Sequence, residues 1–75
     1  MKQVQHFTAI IEREGDGYVA LCPEFDVASQ GSTIEESRRN LQEAVELFLE
    51  TADPAEIEER RHSEVLVTQL EVEVG

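Results

Sequence analysis

A single amphipathic run, STIEESRRNLQEAVELFLETA at residues 32–52, constrains this chain more than anything else in it. Ile34, Leu41, Ala44, Val45, Phe48, Leu49 and Ala52 recur at helical spacing, with Ser37 and Arg38 filling the one gap, so they form a stripe wide enough to face a core. Glu35, Glu36, Glu43, Glu46 and Glu50 fall largely outside that stripe. Thr33 followed three residues later by Glu36 is a capping-box pattern, in which the hydroxyl takes an orphan backbone N–H and the carboxylate reaches back to the cap. Asp53-Pro54 marks the other end, because the residue before a proline is pushed out of helical geometry. A helix with one apolar face needs a second layer, and the rest of the chain reads as the sheet that supplies it.

Residues 4–14 are β-rich, with Phe7, Ala9 and Ile11 on one face and His6, Thr8 and Ile10 on the other, and predict strand one. Gly15-Asp16-Gly17 tolerates positive φ and predicts a hairpin into strand two at residues 18–22. Pro23 has no N–H for a sheet ladder and ends that strand; Glu24-Phe25 then leads to a third short strand at residues 26–30, and Gly31 frees the turn into the helix. After the helix, Asp53-Pro54-Ala55-Glu56 repeats the start grammar with proline at the first helical position, predicting a short surface helix whose only large apolar residue is Ile57. Residues 64–74 alternate most cleanly, with Leu66, Thr68, Leu70, Val72 and Val74 on one face and Gln69, Glu71 and Glu73 on the other, predicting strand four. The expectation is one α+β domain over residues 1–75, β-β-β-α-(short α)-β, with a four-stranded sheet in the order 3-2-1-4 set by a right-handed crossover and the long helix laid on one face.

Seventy-five residues bury a small fraction of their surface, so stability calls for some addition, and self-association is the expected one. An exposed sheet edge, or the face around His6, Thr8 and Ile10, is where copies would meet, as a dimer or tetramer. One cysteine excludes an internal disulfide framework and fits a reducing cytoplasm. The N-terminal MKQVQHFTAII lacks the apolar run and cleavage site of a secretory signal, and no stretch is long enough to span a bilayer. Seventeen acidic against six basic side chains give a net charge of −11, which disfavours nucleic acid and anionic membranes and favours a basic protein partner, although acidity also serves solubility alone.

Catalytic constellations are scarce. His6 and His62 are far apart, and His62 sits in a polar connection beside Arg61. Cys22 ends a strand with no histidine near it and reads as a small buried hydrophobe rather than a nucleophile. Ser29, Ser32, Thr33 and Ser37 suit turn, cap and helix positions, and the paired glutamates suit solvated faces. Arg38-Arg39 and Arg60-Arg61 are isolated pairs amid acids, without a glycine-rich phosphate loop. The expectation is a binding module: not an enzyme, with no cofactor and no metal.

The run Gly17-Tyr18-Val19-Ala20-Leu21-Cys22-Pro23, continuing through Gln30-Gly31-Ser32-Thr33 into Ile34-Glu35-Glu36-Ser37 and Asn40-Leu41-Gln42-Glu43-Ala44, resembles the signature of HicB-type antitoxins over roughly residues 5–50. In that family a strand of GYVA type reaches a proline, a Q-G-x-T turn follows, and a helix opens I-E-E-A and continues N-L-x-E-A. Two departures stand out: Asp26-Val27-Ala28 lies where the family commonly has Pro-Gly-Cys, and Ser37 replaces the usual alanine. The resemblance implies a partly degraded ribonuclease-H-like fold without the nuclease carboxylates, and a small basic RNA-cleaving toxin of HicA type as partner. Full-length members often carry a C-terminal DNA-binding domain; with the chain ending after strand four, direct nucleic-acid binding is not expected.

Two functions compete: neutralisation of a basic toxin, and a stand-alone homo-oligomeric regulator or scaffold without a toxin. A residual hydrolase is a third and weaker reading. For the first, the expected partner-binding carboxylates are Glu24 and Asp26 in the connection, with Glu43, Glu46 and Glu50 on the helix as a less specific alternative. Charge reversal at Glu24 and Asp26 is expected to spare the fold, since neither belongs to the stripe or to a strand pattern.

Overall fold

The computed structural model describes residues 4–62 and 64–75. Its elements run β1 (Ile10–Glu14), β2 (Gly17–Cys22), β3 (Val27–Gly31), α1 (Ile34–Thr51) and α2 (Pro54–Arg60). The strands form one antiparallel sheet in the order β1-β2-β3. Glu14 pairs with Gly17 across a two-residue turn, and Gly15 there adopts φ 59°, a conformation that costs glycine nothing. The architecture is α+β, as the alternation of patterns indicated.

Helix α1 lies over β3 and β2 and barely reaches β1. Gly31 permits the close approach: a Cβ there would stand 2.6 Å from the Ser37 nitrogen and 2.9 Å from the Glu36 carbonyl carbon, both backbone atoms that cannot swing aside. Ser37 is fully buried at the same contact, and its hydroxyl donates to the Ile34 carbonyl at 2.9 Å, so the gap in the apolar stripe is filled by a small residue whose polar atom is satisfied. The Asn40 amide donates to the Gln30 carbonyl at 2.8 Å, fastening α1 to β3.

The core contains Ala20, Cys22, Phe25, Leu41 and Val45, with Phe7, Ile11, Val27, Phe48 and Ile57 packed against it. Phe25 is its centre. It is 1% exposed, meets Phe7 edge-on at a centroid distance of 5.1 Å, and meets Phe48 at 5.6 Å. Of the predicted helix stripe, Leu41 and Val45 are buried and Ala44, Phe48 and Ala52 half-buried, while Ile34 and Leu49 are exposed. Ile34 opens the helix, and Leu49 lies on the flank of α1 toward residues 4–9.

Both ends of α1 follow the sequence grammar with one change. Thr33 is the N-cap and its hydroxyl accepts from the Glu36 N–H at 3.0 Å, but the Glu36 carboxylate accepts from the Ser32 N–H, at 2.8 Å, rather than from the cap residue itself. Ala52 closes the helix in an extended conformation, and α2 begins at Pro54. Asp53 precedes α2 without a side-chain cap bond; its carbonyl accepts from the Ile57 N–H at 3.0 Å instead.

Three strand expectations need correction. The first strand is Ile10–Glu14 and not residues 4–14, because β2 ends at Cys22 before Pro23 and leaves residues 4–8 nothing to pair with. The third begins at Val27 rather than at residue 26, since Asp26 takes φ 56° within the turn. Among the described residues the sheet has three strands, not four in the order 3-2-1-4: residues 64–75 have no strand pairing there, and Leu66, Val67, Leu70, Val72 and Val74 are 62–95% exposed. Alternation states which side chains could share a face, but a strand also needs a backbone edge beside it, and this segment reaches none within the chain. It stands out as an arm. The Cα radius of gyration is 14.5 Å and the long axis 52 Å, against about 11 Å for the radius of a compact chain of this length.

Candidate functional site

The turn between β2 and β3 gathers most of the long-range polar contacts. Glu24 is half-buried there, and its two carboxylate oxygens accept from the Thr8 N–H at 3.1 and 2.9 Å, from the Thr8 hydroxyl at 2.8 Å and from the Cys22 thiol at 3.4 Å. These bonds tie residues 4–9 to the sheet where no ladder can. Burial works to raise the Glu24 pKa, but the Thr8 hydroxyl, the Glu24 and Thr8 backbone N–H groups and the Cys22 thiol together outweigh it and hold the carboxyl below its ordinary value. The Cys22 thiol is pushed up, first by burial and then by its hydrogen bond to Glu24 and that group's negative charge. Buried and donating, it is the inert small side chain expected at the strand end.

Asp26 fastens the other side of the turn. Its carbonyl accepts from the Arg60 guanidinium at 2.9 Å, and its carboxylate lies 2.8 Å from His62 Nε2, while the His62 backbone N–H donates to the Glu24 carbonyl at 2.7 Å. Arg60 also stacks over the Phe48 ring, 4.9 Å from its centroid. His62 is exposed, as a polar connection suggested, yet it anchors the end of α2 to the turn.

The predicted partner-binding carboxylates therefore divide in two. Glu24 is engaged within the fold, and for it the expectation that charge reversal is neutral is corrected, since a lysine at 24 would face the Thr8 N–H and hydroxyl as donors; Asp26 is exposed, and a lysine there would lose one surface contact, to His62. What the sequence could not reveal was that Thr8, sixteen residues upstream, donates to Glu24 through both its N–H and its hydroxyl. Glu43, Glu46 and Glu50 are exposed on α1 and have no ion-pair partner among the described residues, unlike Glu35, which lies 3.5 Å from Arg38, and Glu58, 3.9 Å from Arg61.

Between residues 4–9 and α1 runs an open groove of about 880 Å³. Phe7, Phe25, Leu41, Val45 and Leu49 give it an apolar floor, with Arg38 and Arg61 at its polar margin and Glu46 also lining it. Sequence reasoning missed the groove, because Phe25 was assigned to a connection and α1 was expected to be covered along its whole stripe. Among the described residues no cluster of His, Cys, Asp or Glu is placed to hold a metal ion, and no helix is long and apolar enough to cross a membrane.

Three relatives carry the same family name. A UPF0150 protein of Thermotoga maritima is 48% identical over 56 residues, covering 69% of this chain and 75% of that protein. The chain belongs to the UPF0150 family. A UPF0150 protein of Synechocystis sp. is 44% identical over 52 residues, or 67% of this chain and 66% of its own length. One of Helicobacter pylori is 45% identical over 42 residues, or 55% and 58%. The match thus spans just under two thirds of the Synechocystis protein and 58% of the Helicobacter protein. No family model matches the chain, and no solved structure matches it. In this UPF0150 protein the Glu24 carboxylate is engaged within the fold, while Asp26, the outer face of α1 and the groove are exposed.

Proposed function

We propose that this UPF0150 protein is a HicB-like antitoxin module that neutralises a small basic RNA-cleaving toxin of HicA type by covering its RNA-binding surface. The observation that carries the reading is the outer face of α1, where Glu43, Glu46 and Glu50 stand exposed at positions i, i+3 and i+7 with no cation paired to them among the described residues. Three carboxylates on a rigid helix give a fixed negative stripe, and a surface that binds RNA phosphates is its electrostatic complement. The net charge of −11 and the HicB-type sequence pattern support the same partner.

Charge complementarity of this kind acts mainly on the encounter rate. Replacing Glu43, Glu46 and Glu50 by lysine should slow association with a small basic HicA-type toxin, with far-UV circular dichroism unchanged. An association rate insensitive to the triple reversal would remove the α1 face from the mechanism.

A second reading, a stand-alone homo-oligomeric regulator or scaffold, is favoured by the exposed apolar arm at residues 64–74. The two diverge on one observation: the second needs no basic protein in the neighbouring reading frame.

A further inference from the structure

We infer that the arm at residues 64–74 is a donated strand, which adds to the β1 edge of a second copy of this chain and lays its apolar face into that copy's groove. Nothing in the inference depends on toxin binding.

Three observations converge on this occupant. The arm is the most regularly alternating segment of the sequence, yet five of its large apolar side chains are exposed, so it has the pattern of a half-buried strand and no sheet to join. The sheet has two edges, and they are not equivalent. On the β3 side, α1 covers the strand and the Asn40 amide already occupies the Gln30 carbonyl. On the β1 side no second strand among the described residues pairs with the backbone row of Ile10–Glu14, and the open groove over Phe7, Leu41, Val45 and Leu49 is lined by residues 4–9, which lead directly into that strand. An unpaired edge beside apolar surface is a template for strand addition.

Symmetry fits as well. Each copy has one arm and one open β1 edge. Reciprocal donation closes a two-fold dimer and leaves no free arm, whereas one-way donation would propagate into a fibre.

The test uses the full chain. Sedimentation at about 100 μM, a concentration that detects associations tighter than roughly that dissociation constant, should give a dimer. The variant carrying Leu66→Asp and Leu70→Asp should be monomeric with an unchanged circular dichroism signature of α1, because both side chains are exposed within the protomer. To locate the contact, a nitroxide is attached at Glu71→Cys in a chain also carrying Cys22→Ala and mixed with ¹⁵N-labelled unmodified chain. Broadening of the amide signals of Ile10–Glu14 in the labelled partner is the expected result. A monomeric full chain, a dimer indifferent to the double variant, or broadening confined to the partner's residues 64–75 or to β3 would each overturn the inference.

Discussion

Replacing Phe25 by alanine removes the ring on which residues 4–9, the sheet and α1 converge. The side chain is 1% exposed and contacts Phe7 and Phe48 at centroid distances of 5.1 and 5.6 Å. Truncating a buried phenylalanine costs about 3–5 kcal/mol, and two aromatic pairs put this site toward the upper end of that range. A chain of 75 residues at roughly 0.05–0.15 kcal/mol per residue has only about 4–11 kcal/mol in total, so Phe25→Ala should leave a barely folded protein. Phe48→Ala, at a half-buried position, should cost less, about 2–3 kcal/mol, and should also release Arg60 from its ring. Urea melts followed by far-UV circular dichroism measure both by linear extrapolation. Phe25→Leu, expected to lose about 1–1.5 kcal/mol, keeps the comparison measurable if the alanine variant does not fold. A loss below about 1 kcal/mol for Phe25→Ala, the range of ordinary surface changes, would show that the core is centred elsewhere, as would a larger loss at Phe48.

Gly31→Ala should destabilise by about 1–3 kcal/mol in the same melts, because its Cβ would strike the α1 backbone at Ser37, whereas an exposed-arm change such as Val74→Ala should be within about 0.5 kcal/mol in the monomer. The Glu24 carboxyl has a folded-state pKa below its unfolded value, so its contribution to stability is fully present above the unfolded pKa and is lost as the pH falls through the folded one. Carboxyl ¹³C titration should find Glu24 below the ordinary glutamate range and find it raised in Thr8→Ala, and acid unfolding of that variant should begin at a higher pH. Cys22 should react with iodoacetamide only as fast as the core opens, since burial and the Glu24 carboxylate both keep its thiol protonated.

Local grammar was legible wherever the deciding atoms are close in sequence. The Thr33 cap, the turn at Gly15-Asp16, the stop at Pro23 and the restart at Pro54 each depend on residues within four positions of one another, and all four stand where the pattern put them. Phe25 was not legible as the core centre, since it belongs to no periodic run and is driven inward by the left-handed turn at Asp26. The roles of Glu24 and Asp26 were hidden for a related reason: their partners are Thr8 upstream and Arg60 and His62 downstream, separations that no spacing rule covers. Residues 64–74 illustrate the opposite limit, a clear period-two pattern that pairs with no strand of its own protomer among the described residues.

The most direct measurement of function is an RNA-cleavage assay with a purified small basic HicA-type toxin, titrated with the purified chain. Cleavage should fall to background at a stoichiometric ratio at about 50 mM salt and recover as salt rises to about 500 mM, because the shortened Debye length screens the Glu43, Glu46 and Glu50 face. Cleavage that continues undiminished in the presence of excess chain at low salt would contradict the proposed neutralisation.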